Sequence, residues 1–495
     1  MASGDNPPPL SQIIVPQPSG GDIADPAAAV RLGKALFWDI QVGGDGQVAC
    51  ATCHFRAGAD NRRINTIDPG PNNVFESGGV TGPGQTFNGA SINATDDRVG
   101  SQGIVGSTFV SVDPNPANAA DSCSPNQIAP FFASRRVTGR NAPTVIGAIF
   151  FRDNFWDGRA NNRFNGKNPF GFTGNDTEGS FVSITNASLA SQSVGPPTND
   201  IEMSCTGRAF NGAGSLAEKM LARVPLGKQV VSPTDGVLGA MSNSPSPGIN
   251  KTYTQLIQDA FGVSLAGNSL AQFSRFWGQA VQAYETTLIP SATPFDAFLS
   301  GNSSAMTQQQ QRGWDRFQGK GHCTKCHSGS ELSDATVGFA ASNGLINEDG
   351  GDQGFHNNGV RPTAEDLGRA GLGPGGVSFS VSGSSRDRGA FKTSALRNVK
   401  LTAPYFHNGA FATLEEVVDF YSRGGDFNNP EKASRMQRIS FDSGDKAAVV
   451  DFLRNALTDC RVEKERAPFD HPSLPLPNGT AVPAIGANGT GACPP

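Results

Sequence analysis

Cys50-Ala51-Thr52-Cys53-His54 and Cys323-Thr324-Lys325-Cys326-His327 are two copies of one pattern, C-x-x-C-H. Two thiols at this spacing can add to the two vinyl groups of a porphyrin, and the imidazole that follows supplies an axial nitrogen to its iron. Zinc explains the same residues less well. The two CxxC pairs would have to share one metal, and both following histidines would be left without a task. With only eight cysteines and six histidines in 495 residues, little of the chain is free to make the pattern twice by accident. Two covalently bound haem c groups are the expectation.

The chain is longer than one core usually serves, and one haem per domain fits two domains. Hydrophobic content of 37% and charged content of 17% are modest, whereas Gly (61) and Pro (34) are abundant. That composition describes a loop-rich chain in which buried porphyrins supply part of the apolar core. A net charge of −5 leaves no basic footprint for nucleic acid. No apolar run approaches the roughly 18 residues of a membrane span. Residues 1–4 lack the charged and apolar regions of a signal peptide. Haem c attachment nevertheless requires export, so the expected compartment is the bacterial periplasm and the start is read as processed. Four cysteines remain: Cys123, Cys205, Cys460 and Cys493. An even number in an oxidising compartment suggests two disulfides, and chain order favours Cys123–Cys205 and Cys460–Cys493. Buried free thiols are the alternative.

The expected fold is mainly α, with two cytochrome c-like haem domains, long loop insertions and little β structure. Residues 1–25 read as an extended N-terminal segment, 26–290 as the N-terminal haem domain, 291–466 as the C-terminal haem domain, and 467–495 as a Pro/Gly-rich tail. Helical spacing appears at 27–38, 215–223, 253–261, 269–288, 307–319, 413–422 and 445–457. The 413–422 stretch opens on a Thr-x-x-Glu capping box. Residues 57–135 and 161–200 have the Gly/Asn/Ser/Asp/Pro composition of long loops. No internal repeat is visible beyond the two haem motifs.

Further segments surround these motifs in order: Leu32 to Asp39 (LGKALFWD), Arg140-Asn141-Ala142-Pro143-Thr144-Val145, Phe155-Trp156-Asp157-Gly158-Arg159-Ala160, Leu396-Arg397-Asn398-Val399, and Leu401-Thr402-Ala403-Pro404-Tyr405-Phe406-His407-Asn408-Gly409. With them the chain resembles the bacterial di-haem cytochrome c peroxidase and MauG family over roughly 27–465. The resemblance implies a calcium ion between the haems, held by the Asn141 side chain and the carbonyls of Thr402 and Pro404, with waters completing a set of hard oxygen ligands. Read alone, Asn141 is an ordinary turn residue. Trp156 would relay electrons between the haems, a role compatible with a core aromatic at a domain interface. Arg397 would bind a haem propionate, or else form a structural ion pair.

His54 and His327 are the expected proximal ligands, so the opposite faces decide the chemistry. Classical members carry a methionine fourteen residues after the histidine of the PYFH segment. Here that position is Tyr421, the MauG-like departure. A thioether favours Fe(II), whereas a phenolate stabilises Fe(III) and higher oxidation states, so a low-potential second haem is implied. Read without the resemblance, Tyr421 is a helix-face core residue. Where the family places a distal histidine on the first haem, this chain has Ala133, and no histidine occurs between His54 and His322. The first haem is therefore read as open or water-occupied. The family's acid/base glutamate falls on Glu202, in Asn199-Asp200-Ile201-Glu202-Met203; read alone, it is a solvated loop carboxylate. The family's glutamine falls on Gly166 and that role stays unassigned. His322, His356 and His471 have no motif support and read as surface histidines.

The implied function is reduction of hydrogen peroxide at the His54 haem, with electrons from a cytochrome c or a cupredoxin. The competing readings are MauG-like oxidation of a partner protein, oxidation of an organic substrate, and a non-enzymatic di-haem electron carrier. Family members are often homodimers, although no interface is legible here.

Overall fold

A computed structural model describes residues 6–172, 179–263 and 270–493. Residues 1–5 of the N-terminal segment, and Ser269 at the start of the expected 269–288 helix, lie outside the described residues. The architecture is mainly α, as expected, with only two-stranded antiparallel sheet pieces.

The helix Pro26–Trp38 begins where the Asp25 carboxylate accepts from Ala27 N at 2.9 Å and Ala28 N at 3.1 Å, with proline at its first position. Its buried face packs against the helix Phe273–Glu285, and the two backbones touch at Gly33. A Cβ there would lie 1.9 Å from the Ala280 carbonyl oxygen, so only glycine permits this crossing. The second domain repeats the device. The helix Gln308–Gln318, capped by Thr307 with Gln310, crosses the helix Ser443–Asp451 at Gly313, where a Cβ would lie 2.1 Å from Ala448 O. In each case the first helix of the pair leads into a haem motif. The chain thus carries a structural repeat that its sequence conceals.

Two separate apolar cores follow from these crossings. The first gathers Leu32, Leu36, Phe37, Trp277, Val281 and their neighbours; the second gathers Phe295, Trp314, Phe317, Val449 and Phe452. The Thr413 capping box forms as expected and starts the helix Leu414–Arg423. The expected 445–457 helix ends at Asp451 and continues as a π-helical turn, Phe452–Ala456.

The loop-rich stretch after the first motif is ordered by three short strand pairs: Ile67–Asp68 with Arg98–Val99, Gln102–Val105 with Arg135–Val137, and Ser107–Ser111 with Ser122–Pro125. Both favoured disulfides are formed, Cys123–Cys205 and Cys460–Cys493. The first ties the hairpin of residues 107–125 to the loop that carries Glu202.

The described part of the tail, residues 467–493, packs against the body of the chain. Phe469, Leu474 and Leu476 enter the first core. Asp470 reaches a fully buried triad in which Lys34 Nζ stands 2.9 Å from Asp235 Oδ1 and 3.5 Å from Asp470 Oδ1. His471, read as a surface residue, is 1% exposed and stacks on Trp38 at 4.7 Å between ring centroids. Composition suggested a tail because the contacts that bury it come from the opposite end of the chain.

Lys34→Met would leave two buried carboxylates facing each other without a cation. The expected loss is about 3–5 kcal/mol, read as a lowered urea midpoint. A loss below about 1 kcal/mol would show that the triad carries no such burden.

Candidate active site

The first haem motif forms a short helix, Cys50–His54, and the second a 3-10 turn, Cys323–Lys325. Their four cysteines are free thiols, whereas the other four are joined in disulfides. Burial pushes the Cys53 and Cys323 thiols up to about 12, and Cys50 higher still. Cys50 packs against the first apolar core and Cys323 against the second, surroundings that suit the edge of a porphyrin.

The two imidazoles are held alike. His54 Nδ1 donates to the Gly58 carbonyl at 2.9 Å; His327 Nδ1 meets the carbonyls of Leu332 and Ser394, both at 3.1 Å. A carbonyl only accepts, so the proton sits on Nδ1 and leaves the Nε2 lone pair free to bind a metal. Burial depresses both imidazoles and keeps them neutral. Each ring also faces a phenylalanine from the helix upstream, Phe37 at 6.4 Å and Phe317 at 6.3 Å. These features fit two haem c groups, attached at Cys50/Cys53 and at Cys323/Cys326.

The residues expected on the opposite faces lie near their motifs. Glu202 is half-buried on a turn whose backbone is fixed by Asn199 Oδ1, which accepts from Ile201 N at 2.9 Å and Glu202 N at 3.1 Å. The strand Gln102–Val105 lies flush on this turn: a Cβ on Gly103 would fall 2.0 Å from Ile201 O. Burial raises the Glu202 carboxyl, opposed by the Arg159 guanidinium, and its charge is felt at both Cys50 and Cys53. Tyr421 projects from the helix Leu414–Arg423. Burial holds its hydroxyl up, reinforced by the nearby Cys326 and Cys323 and opposed by a hydrogen bond with Asn358. Glu202 thus belongs to the first motif and Tyr421 to the second.

Trp156 Nε1 donates to Asn141 O at 2.8 Å, and its ring meets His407 edge-on at 6.4 Å. His407 stacks on Phe391 at 3.5 Å, and burial pushes its imidazole down to about 3, so it stays neutral. Phe391 in turn pairs across strands with His356. His356 is not a surface residue as expected. Its Nε2 stands 2.8 Å from Asp334 Oδ2, and both cluster with Cys326.

The implied calcium ligands come together in part. Asn141 Nδ2 donates to the Pro404 carbonyl at 2.6 Å, and Asn141 N to the His407 carbonyl at 2.7 Å. Turning the Asn141 amide by half a turn would place its oxygen beside that of Pro404, as a shared cation requires. Thr402 donates its hydroxyl to Val399 O at 3.3 Å, and no direct contact joins it to the other two among the described residues.

Arg397 is the clearest departure from the expected site. Its guanidinium grips Asp296 at 2.5 and 2.9 Å and also donates to the carbonyls of Ser330 and Pro290. Every N–H of the fork is engaged, so a haem propionate would find no free donor. The geometry supports the structural ion pair. Sequence reading also missed Arg62, whose Nη2 lies 3.8 Å from Cys53 Sγ, and Lys392, buried with Nζ 3.0 Å from Asn154 Oδ1. Burial pushes Lys392 down to about 7. Neither stands in a pattern that would have drawn notice.

Known proteins place this geometry in a family. The sequence profile of the di-haem cytochrome c peroxidases matches residues 27–304. The cytochrome-c peroxidase IdrP1 of Pseudomonas sp. (strain SCT) is 25% identical over 477 residues, spanning 94% of this chain and 89% of that protein. The cytochrome c551 peroxidase of Pseudomonas aeruginosa is 28% identical over 283 residues, spanning 56% of each. The methylamine utilization protein MauG of Methylorubrum extorquens is 28% identical over 223 residues, 45% of this chain and 52% of that protein. The chain belongs to the di-haem cytochrome c peroxidase family, oxidoreductases that act on peroxide.

Proposed function

We propose that this protein reduces hydrogen peroxide to water in the periplasm, with the two haem sites doing unequal work. The observation that carries this reading is the asymmetry of the two pockets: a carboxyl at the first motif and a phenol at the second. Bound haem supplies the iron at which peroxide is reduced and the store for the oxidising equivalents. Residues 26–290 form the peroxidatic domain and 291–466 the electron-transfer domain.

His54 and His327 would hold the haem irons through Nε2, each ring being aligned by its Nδ1 hydrogen bond. Glu202 lifts the proton from one peroxide oxygen and returns it to the other, so that water can leave. Its cap by Asn199 and its anchor through the Cys123–Cys205 disulfide hold the carboxylate in place. Tyr421 would hold the second haem iron through its phenolate oxygen, a ligand that favours the oxidised state. Ala133, where classical members place a histidine, is exposed and offers no side chain to close the first site. Trp156 lies in the joint between the sites, in ring contact with His407, and carries electrons between them. Asn141 with the carbonyls of Thr402 and Pro404 would hold a calcium ion beside it. Two disulfides suit a periplasmic location, and the electron donor is a small redox protein such as a cytochrome c or a cupredoxin.

Titration of the ferric protein with stoichiometric peroxide tests the reading. A shifted Soret band is expected; two six-coordinate haems unmoved by peroxide would reveal an electron carrier. Glu202→Gln should lower kcat/KM by about 10²–10⁴-fold. Because burial raises this carboxyl, its base form grows as pH climbs through that elevated pKa, and the rate should climb with it. The glutamine variant should lack that limb. Tyr421→Met should raise the reduction potential of the second haem, measured by redox titration; an unchanged potential would remove Tyr421 from the iron.

A further inference from the structure

The Arg62 guanidinium lies against the second cysteine of the first haem motif, with Nη2 3.8 Å from Cys53 Sγ. Asp60 holds the group as a fork, Nε standing 3.0 Å from Oδ1 and Nη2 2.7 Å from Oδ2. Nη2 also donates to Gln102 O at 3.2 Å, and Nη1 to Pro477 O at 3.4 Å. Three segments far apart in the chain thus fix one cation at one sulfur. The pair is shut off from solvent, its side chains 2% exposed for Arg62 and 3% for Asp60.

Stability alone does not call for this pair. A buried ion pair gives little net stability over apolar residues of similar volume, and the fold needs no cation turned toward a sulfur. Attachment of a haem removes the Cys53 thiol proton but leaves the sulfur its lone pairs, so the N–H donor keeps an acceptor there. Burial pushes the Cys53 thiol up. Among the charges acting on it, the Arg62 cation, which lowers it, comes ahead of Asp60 and Glu202, which raise it. The sulfur therefore meets the positive end of the pair. The second motif carries a counterpart: Asp334 and His356 stand 2.8 Å apart, and both lie within 4.8 Å of Cys326 Sγ. Each half of the chain has placed an aspartate and a nitrogen group at its second haem cysteine. Only the first uses a guanidinium, which stays charged at any pH the protein meets.

We propose that Arg62, held by Asp60 against the Cys53 sulfur, sets the reduction potential of the first haem. A cation at the thioether opposes the loss of an electron from the iron, so the potential rises. The Tyr421 phenolate would act in the opposite sense on the second haem. The two potentials are thereby drawn apart, and one electron passes more readily from the second haem to the first after peroxide has oxidised it. The second haem loses that electron and the first gains it, so the oxidising equivalent leaves the peroxide site. Arg62 acts through Cys53 and is a positioning residue, not a catalytic one. The inference rests on the reading that peroxide reacts at the first haem.

Spectroelectrochemical titration of the holoprotein tests this, with the two haems followed by their separate absorption changes. Arg62→Gln should favour the oxidised first haem by about tenfold, which is about 59 mV for a one-electron couple, and leave the second haem unmoved. Arg62→Lys, which keeps a cation beside the sulfur, should recover most of that shift. Arg62→Gln alone strands the buried Asp60 carboxylate and can fail to fold, so the double variant Arg62→Gln/Asp60→Asn is measured beside it. It should lower the same potential by a smaller amount. A first-haem potential unchanged in these variants, or a fall shared equally by the two haems, would overturn the proposal. So would an Arg62→Lys protein whose potential falls as far as that of Arg62→Gln. Stoichiometric peroxide added to the unaltered protein separates the two claims. A Soret shift alongside unchanged potentials removes the role of Arg62 alone, whereas an unmoved Soret band overturns the peroxidase reading and this inference with it.

Discussion

Backbone contact between two crossing helices, once in each half of the chain, is the constraint from which both haem sites follow. At Gly33 and again at Gly313 the absence of a side chain lets the partner's carbonyl come within a distance no Cβ tolerates. That closeness fixes where each upstream helix ends, and the haem motif follows a short way beyond. It also aims Phe37 and Phe317 at the two proximal histidines with nearly the same spacing. The attachment sites are therefore set by backbone geometry before any cofactor contact is counted.

Past this shared frame the two halves diverge through what is added. The first half receives the strand-paired insertion, whose disulfide steadies the Glu202 turn. The second half receives the ribbon of Phe355–His356 and Phe391–Lys392, which brings Phe391 onto His407 and His356 toward Cys326. One addition steadies the turn that carries Glu202 and the other gathers aromatic rings around His407. The two halves thus differ through their insertions and not through the repeated scaffold.

Features that depend on neighbouring residues were legible in the sequence. Haem attachment needs cysteine, cysteine and histidine within five positions, and the pattern states it outright. Tyr421 became a candidate because it lies on one capped helix a fixed count from His407. Glu202 became one through a local motif, whereas the mainly α fold was legible through helical spacing. What stayed hidden depends on partners far apart. Arg397 looks like a propionate ligand until Asp296 is seen to occupy its fork. His356 and His471 look like surface residues until Asp334 and Trp38 are placed beside them. The Gly33 and Gly313 crossings were invisible for the same reason, since their partners Ala280 and Ala448 carry no signal of their own.

The return of residues 469–476 to the first core bears on how the chain folds. Lys34 and Asp470 come from distant segments of the chain, so the first core cannot close until both are in place. The second core draws its members from residues 295–457 and needs no such wait. The later half of the sequence can therefore mature ahead of the earlier half, reversing the order in which they are synthesised. Such long-range closure is slow, because loop entropy must be spent before the final contacts form.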